Sequence, residues 1–160
     1  MRSASDTTRS AMSRAKLFLD SSALFAGIAS PSGGGRALLL LGEAERVELI
    51  VSEQVVAETE RAIARKLPRA LSETRQAIFN SRVMIVHDPS IEAILERMAW
   101  MSHPADVPIL VAAALANVDY LVTLNRKHFI DDPSVAAHSG LRIGTPGDAL
   151  AWLRAQLIEE

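Results

Sequence analysis

Short apolar or β-branched runs alternate with longer helical patterns from one end of the chain to the other, each introduced by a cap or turn signal. The strand candidates are Lys16 to Leu19, Val47 to Val51, Val83 to Val86, Tyr120 to Thr123 and Leu141 to Ile143. A helical stretch follows Asp20 and stops at the breaker Pro31-Ser32-Gly33-Gly34-Gly35, and a leucine-faced helix spans Arg36 to Arg46. Ser52 is placed to cap a helix over Glu53 to Lys66 that ends before Pro68, and a second helix covers Ala70 to Phe79. Further patterns predict a helix over Ser90 to Met101 and an alanine-rich one opened by His103-Pro104-Ala105-Asp106 and running to Ala116. Thr145-Pro146-Gly147-Asp148 opens the last helix with a Thr cap, a proline in the first turn and an acid at the third position. Such alternation is the signature of an α/β fold, a three-layer αβα sandwich around a mainly parallel sheet. Ligands of these sheets bind beyond the carboxyl ends of the strands, where Asp20 and Asn125 both fall.

The chain has 160 residues, 49% of them hydrophobic, which is enough for one domain with a real core; no repeat is visible. We assign residues 16–160 to that domain and read residues 1–15, rich in Ser, Thr and Arg, as a flexible basic tail, with a transit peptide as the alternative. The absence of cysteine excludes disulfides, zinc–thiolate sites and thiol nucleophiles, and fits a cytoplasmic protein. The longest apolar stretch, Ile109 to Val118, falls short of the ~20 residues a membrane span requires, so no membrane association is expected. Aromatics are only 4%, so any nucleic acid would be held through its phosphates rather than by base stacking. Net charge is −2, yet Arg61, Arg65, Lys66, Arg69, Arg75 and Arg82 face a single acid, Glu73, a local balance of 6 − 1 = +5. That run is either a basic flank beside an acidic site or simply a solvated helix face.

Three acids stand at or near element boundaries. Asp20 directly follows an apolar strand, where a carboxylate sits at the sheet edge; its plainer reading is a helix N-cap. Glu58 lies one and a half turns into its helix beside Val55, Val56 and Ala62, near the buried edge, although most helical glutamates are merely solvated. Asp106 precedes Val107-Pro108 at a helix start, a place the macrodipole favours for any carboxylate. Converging at one sheet edge, the three would suit a hard cation such as Mg²⁺ or Mn²⁺, which relieves their repulsion, acidifies a bound water and neutralises a phosphodiester.

Leu19-Asp20-Ser21-Ser22, Ser52 through Val55 to Glu58, Pro104-Ala105-Asp106 with its alanine helix, and Leu121 through Phe129 resemble the successive motifs of PIN-domain proteins. The resemblance runs from about Lys16 to Leu150 and is specific as an ordered set; the branch it looks closest to is the VapC-like toxin components of toxin–antitoxin systems. It implies a PIN-like, Rossmann-type sheet and a metal-dependent endoribonuclease in which Asp20, Glu58 and Asp106 bind Mg²⁺ or Mn²⁺ and activate water. Ser22 and Thr123 would support the carboxylates by hydrogen bonding. It also implies RNA as substrate, a cognate antitoxin as partner and a homodimer. The sequence departs from the family at the fourth acidic position, which is Asn125; an amide can coordinate or hold a water but brings no charge, so a second metal would bind more weakly.

The remaining polar residues are less pointed. His87, His103, His128 and His138 show no metal-ligand spacing, and surface or loop roles are expected for most. Arg126, Lys127 and His128 follow the site and are candidates for RNA contact. Ser21 and Ser22 lack a nucleophile-elbow context, and the Gly33-Gly34-Gly35 run lacks the Lys-Ser/Thr ending of a phosphate loop and reads as a flexible connector. Two other functions compete with the nuclease. One is a catalytically weak or inactive PIN-like module that binds RNA or protein. The other is a receiver-type phosphotransfer domain, for which no lysine at the matching later strand end is evident.

Overall fold

One sheet runs through the described residues, 14–159 of this computed structural model: β1 (Ala15–Leu19), β2 (Val47–Ser52), β3 (Met84–Val86), β4 (Tyr120–Val122) and β5 (Arg142–Gly144). Every pairing is parallel, in the order β3-β2-β1-β4-β5. Of the expected tail, residues 1–15, the first 13 lie outside the described residues, while Ala15 belongs to β1. The chain steps outward from β1 through β2 to β3 and then returns to the other side of β1 for β4 and β5. This reversal opens a crevice between the ends of β1 and β4, the usual ligand position in a doubly wound sheet. The pairing of Leu19 with Val122 puts Asp20 opposite Thr123 there, and the amide of Asp20 donates to the Val122 carbonyl at 3.1 Å.

The helices are α1 (Ser21–Ala29), α2 (Gly34–Glu43), α3 (Glu53–Lys66), α4 (Leu71–Asn80), α5 (Ile91–Leu95), α6 (Val107–Leu115), α7 (Pro133–Ser139) and α8 (Pro146–Glu159). The core is aliphatic: Leu17, Phe18 and Leu19 of β1, Val51 of β2 and Leu121 and Val122 of β4 are at most 1% exposed. Helix α6, whose Val107 to Ala113 is buried except for Pro108, packs in this core, as do Leu38 and Leu39 of α2. Among the described residues no single helix is long and apolar enough to cross a membrane.

Several local expectations need correction. The triple glycine is not a slack connector: Gly34 and Gly35 open α2, and Gly35 lies against the backbone of Gly27 in α1. A Cβ on Gly35 would stand 2.8 Å from the Gly27 nitrogen and 3.0 Å from its Cα, so only hydrogen fits between the two helices. The helix over Ser90 to Met101 is much shorter, ending at Leu95 before a 3₁₀ turn at Met98–Trp100. Its apolar spacing failed as a guide because Ile91 and Leu95 are both 63% exposed. Helix α7 was not anticipated, although Asp132 caps it through the Ser134 amide, Pro133 starts it and Gly140 ends it in the left-handed region.

Overpacking a helix contact costs typically about 1–3 kcal/mol. Gly35→Ala is expected to lose stability on this scale, because the obstacle is backbone and cannot rotate away; chemical denaturation checks it.

Candidate functional site

Asp20 is the centre of the site and is 4% exposed. Its Oδ1 accepts from the Ser22 hydroxyl at 2.7 Å and from the Ala23 amide at 2.9 Å, so the capping role foreseen for it is real. Its Oδ2 accepts from the Thr123 hydroxyl at 2.5 Å, across the crevice from the end of β4. The supporting groups are themselves held: the Ser22 oxygen accepts from the Leu124 amide at 2.9 Å and the Thr123 oxygen from the Asn125 amide at 2.9 Å. Burial pushes the Asp20 carboxyl above the ordinary value of 3.8, the bonds from Thr123, Ser22 and Ala23 pull it back, and the negative charge of Asp106 raises it further. That last effect places Asp106 within electrostatic range of Asp20.

Asp106 stands at the N-terminus of α6, where the helix dipole favours a carboxylate, but it makes no capping hydrogen bond. Its Oδ2 instead lies 2.6 Å from Nδ1 of His128, whose ring stacks on that of His103 with centroids 3.5 Å apart and planes 19° from parallel. Glu58, half-buried on α3, accepts from the Ser21 hydroxyl at 3.0 Å through Oε2 and from the Gln54 amide at 2.8 Å through Oε1. Gln54 stands one helical turn before Glu58, the spacing at which side chains on a helix meet. The Gln54 backbone amide is fixed in turn by Asp88 Oδ1 at 2.9 Å.

Asn125, at the fourth acidic position, uses its side chain locally. It caps the π-helical turn Arg126–Ile130, its Oδ1 accepting from the His128 amide at 3.2 Å. Of the three candidates for RNA contact, Arg126 and Lys127 are exposed and His128 is half-buried against Asp106. His87 has the anticipated surface role, 3.2 Å from Glu53. All six cations between Arg61 and Arg82 are exposed, and Arg75 and Arg82 pair with Glu60 and Glu45 at the surface.

The sheet edge therefore gathers Asp20, Ser22, Thr123 and Asn125, with Glu58 joined through Ser21 and Asp106 joined through its field. Among the described residues no group of three or more histidines and acids is drawn tightly enough to form a ready-made metal cage. The sequence reading missed the holders of the outer acids. Gln54 was signalled by its i, i+4 spacing to Glu58, Ser21 was weighed only as a nucleophile, and the meeting of His103 with His128 has no local signal.

Because Asp20 titrates higher folded than unfolded, the native state holds its proton longer. Stability attributable to this group is full below pH 3.8 and is lost as pH rises toward the folded value. Asp20→Asn is accordingly expected to raise the melting temperature of the metal-free protein at neutral pH by a few degrees, with no such gain at pH 3, as read by thermal melts at the two pH values.

The PIN-domain family model matches residues 16–127. Solved structures similar to this chain include PAE2754 from Pyrobaculum aerophilum, 17% identical with a TM-score of 0.60, covering 88% of this chain and 96% of that one. VapBC2 from Rickettsia felis, solved bound to a DNA fragment from their promoter, is 20% identical with a TM-score of 0.54, covering 81% and 98%. The Mycobacterium tuberculosis VapC20, a Sarcin-Ricin loop cleaving toxin, is 15% identical with a TM-score of 0.49 over 66% and 86%. No curated protein matches the chain significantly.

Proposed function

This chain belongs to the PIN-domain family, whose members are in general nucleases, and we propose that it is a metal-dependent endoribonuclease acting as the toxin of a toxin–antitoxin pair. The observation that carries this reading is a carboxylate, Asp20, buried at the crevice between β1 and β4 and further burdened by the charge of Asp106. A structure keeps such a group against its own stability when something positive is to sit beside it. The donors are all hard oxygens, which suits Mg²⁺ or Mn²⁺. Asp20, Glu58 and Asp106 would hold the ion, which when bound lowers the pKa of water and offsets phosphate charge.

The rest of the chemistry falls to this chain's side chains. Ser22 and Thr123 hold both oxygens of Asp20, and Ser21 with Gln54 holds both oxygens of Glu58, so each carboxylate is oriented by its own side-chain partners. Arg126 and Lys127, exposed just past the crevice, would meet RNA phosphates, with the basic run from Arg61 to Arg82 as a wider flank. A cognate antitoxin and a second copy of the chain complete the reading. Large apolar side chains left exposed toward the β3 edge, Phe79 at 78%, Met84 at 58% and Ile85 at 49%, offer them surface. The alanine helix and Leu38 and Leu39 serve the core, whereas Leu40 of the same leucine run is 54% exposed.

Purified protein incubated with structured and unstructured RNAs should cut in Mg²⁺ or Mn²⁺ and not in EDTA. Asp20→Asn and Asp106→Asn should each lower the rate by about 100-fold or more, the scale of losing several kcal/mol of charge stabilisation in the transition state. Replacing Arg126 and Lys127 with Glu should raise KM more than it lowers kcat. Folded protein that binds RNA but cuts none with either metal would leave the binding-module reading in its place.

A further inference from the structure

The position where the family carries a fourth acid holds an amide whose oxygen is already used. Asn125 Oδ1 accepts the His128 backbone N–H at 3.2 Å, and its Nδ2 lies 3.0 Å from His128 Nδ1. The same ring nitrogen is 2.6 Å from Asp106 Oδ2, and one nitrogen cannot donate to the carboxylate while accepting from the amide. The carboxylate contact is the shorter and the charge-assisted one, so the proton on Nδ1 points to Asp106. The amide cannot turn round without setting its own N–H against the His128 backbone N–H. His103 stacks on the ring from the side, and Phe129, 2% exposed, anchors the next residue of the turn in the core. The Asp106 carboxylate has no other hydrogen-bond partner among the described residues and makes no helix cap.

We propose that Asn125 and His128 are positioning residues for Asp106: Asn125 caps the turn that presents His128, and His128 holds one oxygen of Asp106 so that the other is left for the cation. This inference rests on the metal-dependent reading of the site. Asn125 is then neither a weakened ligand nor a relic, and the substitution replaces a charge in the crevice with a hydrogen-bonded route to a different acid. Outer hydrogen-bond partners of metal ligands govern affinity in this way, typically by about 10- to 100-fold.

Mn²⁺ titrated into the full chain and followed by electron paramagnetic resonance tests it. One Mn²⁺ should bind wild type, and His128→Ala should weaken it by about 10-fold or more. Asn125→Ala should act in the same direction, and the double variant should be no weaker than His128→Ala alone, since Asn125 acts through His128. His128→Asn, whose amide nitrogen falls near the place of Nδ1, should recover part of the loss. Metal-free melting temperatures of the variants identify any that fail to fold, and nitrogen NMR of the metal-free wild type should show the His128 ring protonated on Nδ1. Unchanged affinity in folded His128→Ala, additive losses in the double variant, or tighter binding or a second Mn²⁺ in Asn125→Asp would each overturn the positioning role while leaving the nuclease reading intact. Wild type that binds no Mn²⁺ would overturn both.

Discussion

The Thr123 hydroxyl, reaching from the end of β4 to the carboxylate of Asp20 at the end of β1, joins the two halves of the sheet at their point of reversal. Thr123 is fully buried, and its backbone amide donates to Gly144 of β5 at 2.9 Å, so a single residue ties three strand ends together. Its oxygen also receives the Asn125 amide, which sets the direction of the turn that delivers His128. The geometry of the crevice is thus inherited from strand register rather than from any loop, and rigid elements place site atoms more reliably than loops do.

Two demands pull against each other at this spot. A carboxylate placed in a dry crevice loses hydration, and three hydrogen bonds offset only part of that loss. A second acid close by makes the ionised state less favourable still. Folding alone would favour an amide or an apolar residue at position 20. The stabilising work is done elsewhere, by a nearly continuous aliphatic core and by helices brought to backbone contact at Gly27 and Gly35. A well-packed frame of this kind can carry an unfavourable charge at one edge.

Much of this was legible in the order of residues because the governing signals are local. Strand and helix periods, the Ser52 cap, the reciprocal Thr145–Asp148 box and the boundary position of Asp20 all follow from a few neighbouring side chains. The family motifs likewise drew attention to Ser22 and Thr123, whose hydroxyls hydrogen-bond to Asp20. What was not legible depends on distance along the chain. His128 reaches Asp106 from 22 residues away, and Ser21 reaches Glu58 across 37. The shortening of α5 escaped notice for a different reason. Helical spacing shows that a face exists, but only the packing shows whether anything covers it, and Ile91 and Leu95 stay in solvent.

The order in which the pieces of the crevice are synthesised differs from the order in which they pair. β1 and α1 emerge first, but the partner that closes on Asp20 lies 103 residues later, after most of the remaining helices. Contacts of such long sequence separation form late and slowly. While the chain is still on the ribosome and β4 has not emerged, Asp20 lacks its Thr123 bond, His128 is absent and Asp106 has no fixed direction. A fragment ending short of β4 would keep all three acids yet assemble no crevice, since both Thr123 and the turn that carries His128 would be missing.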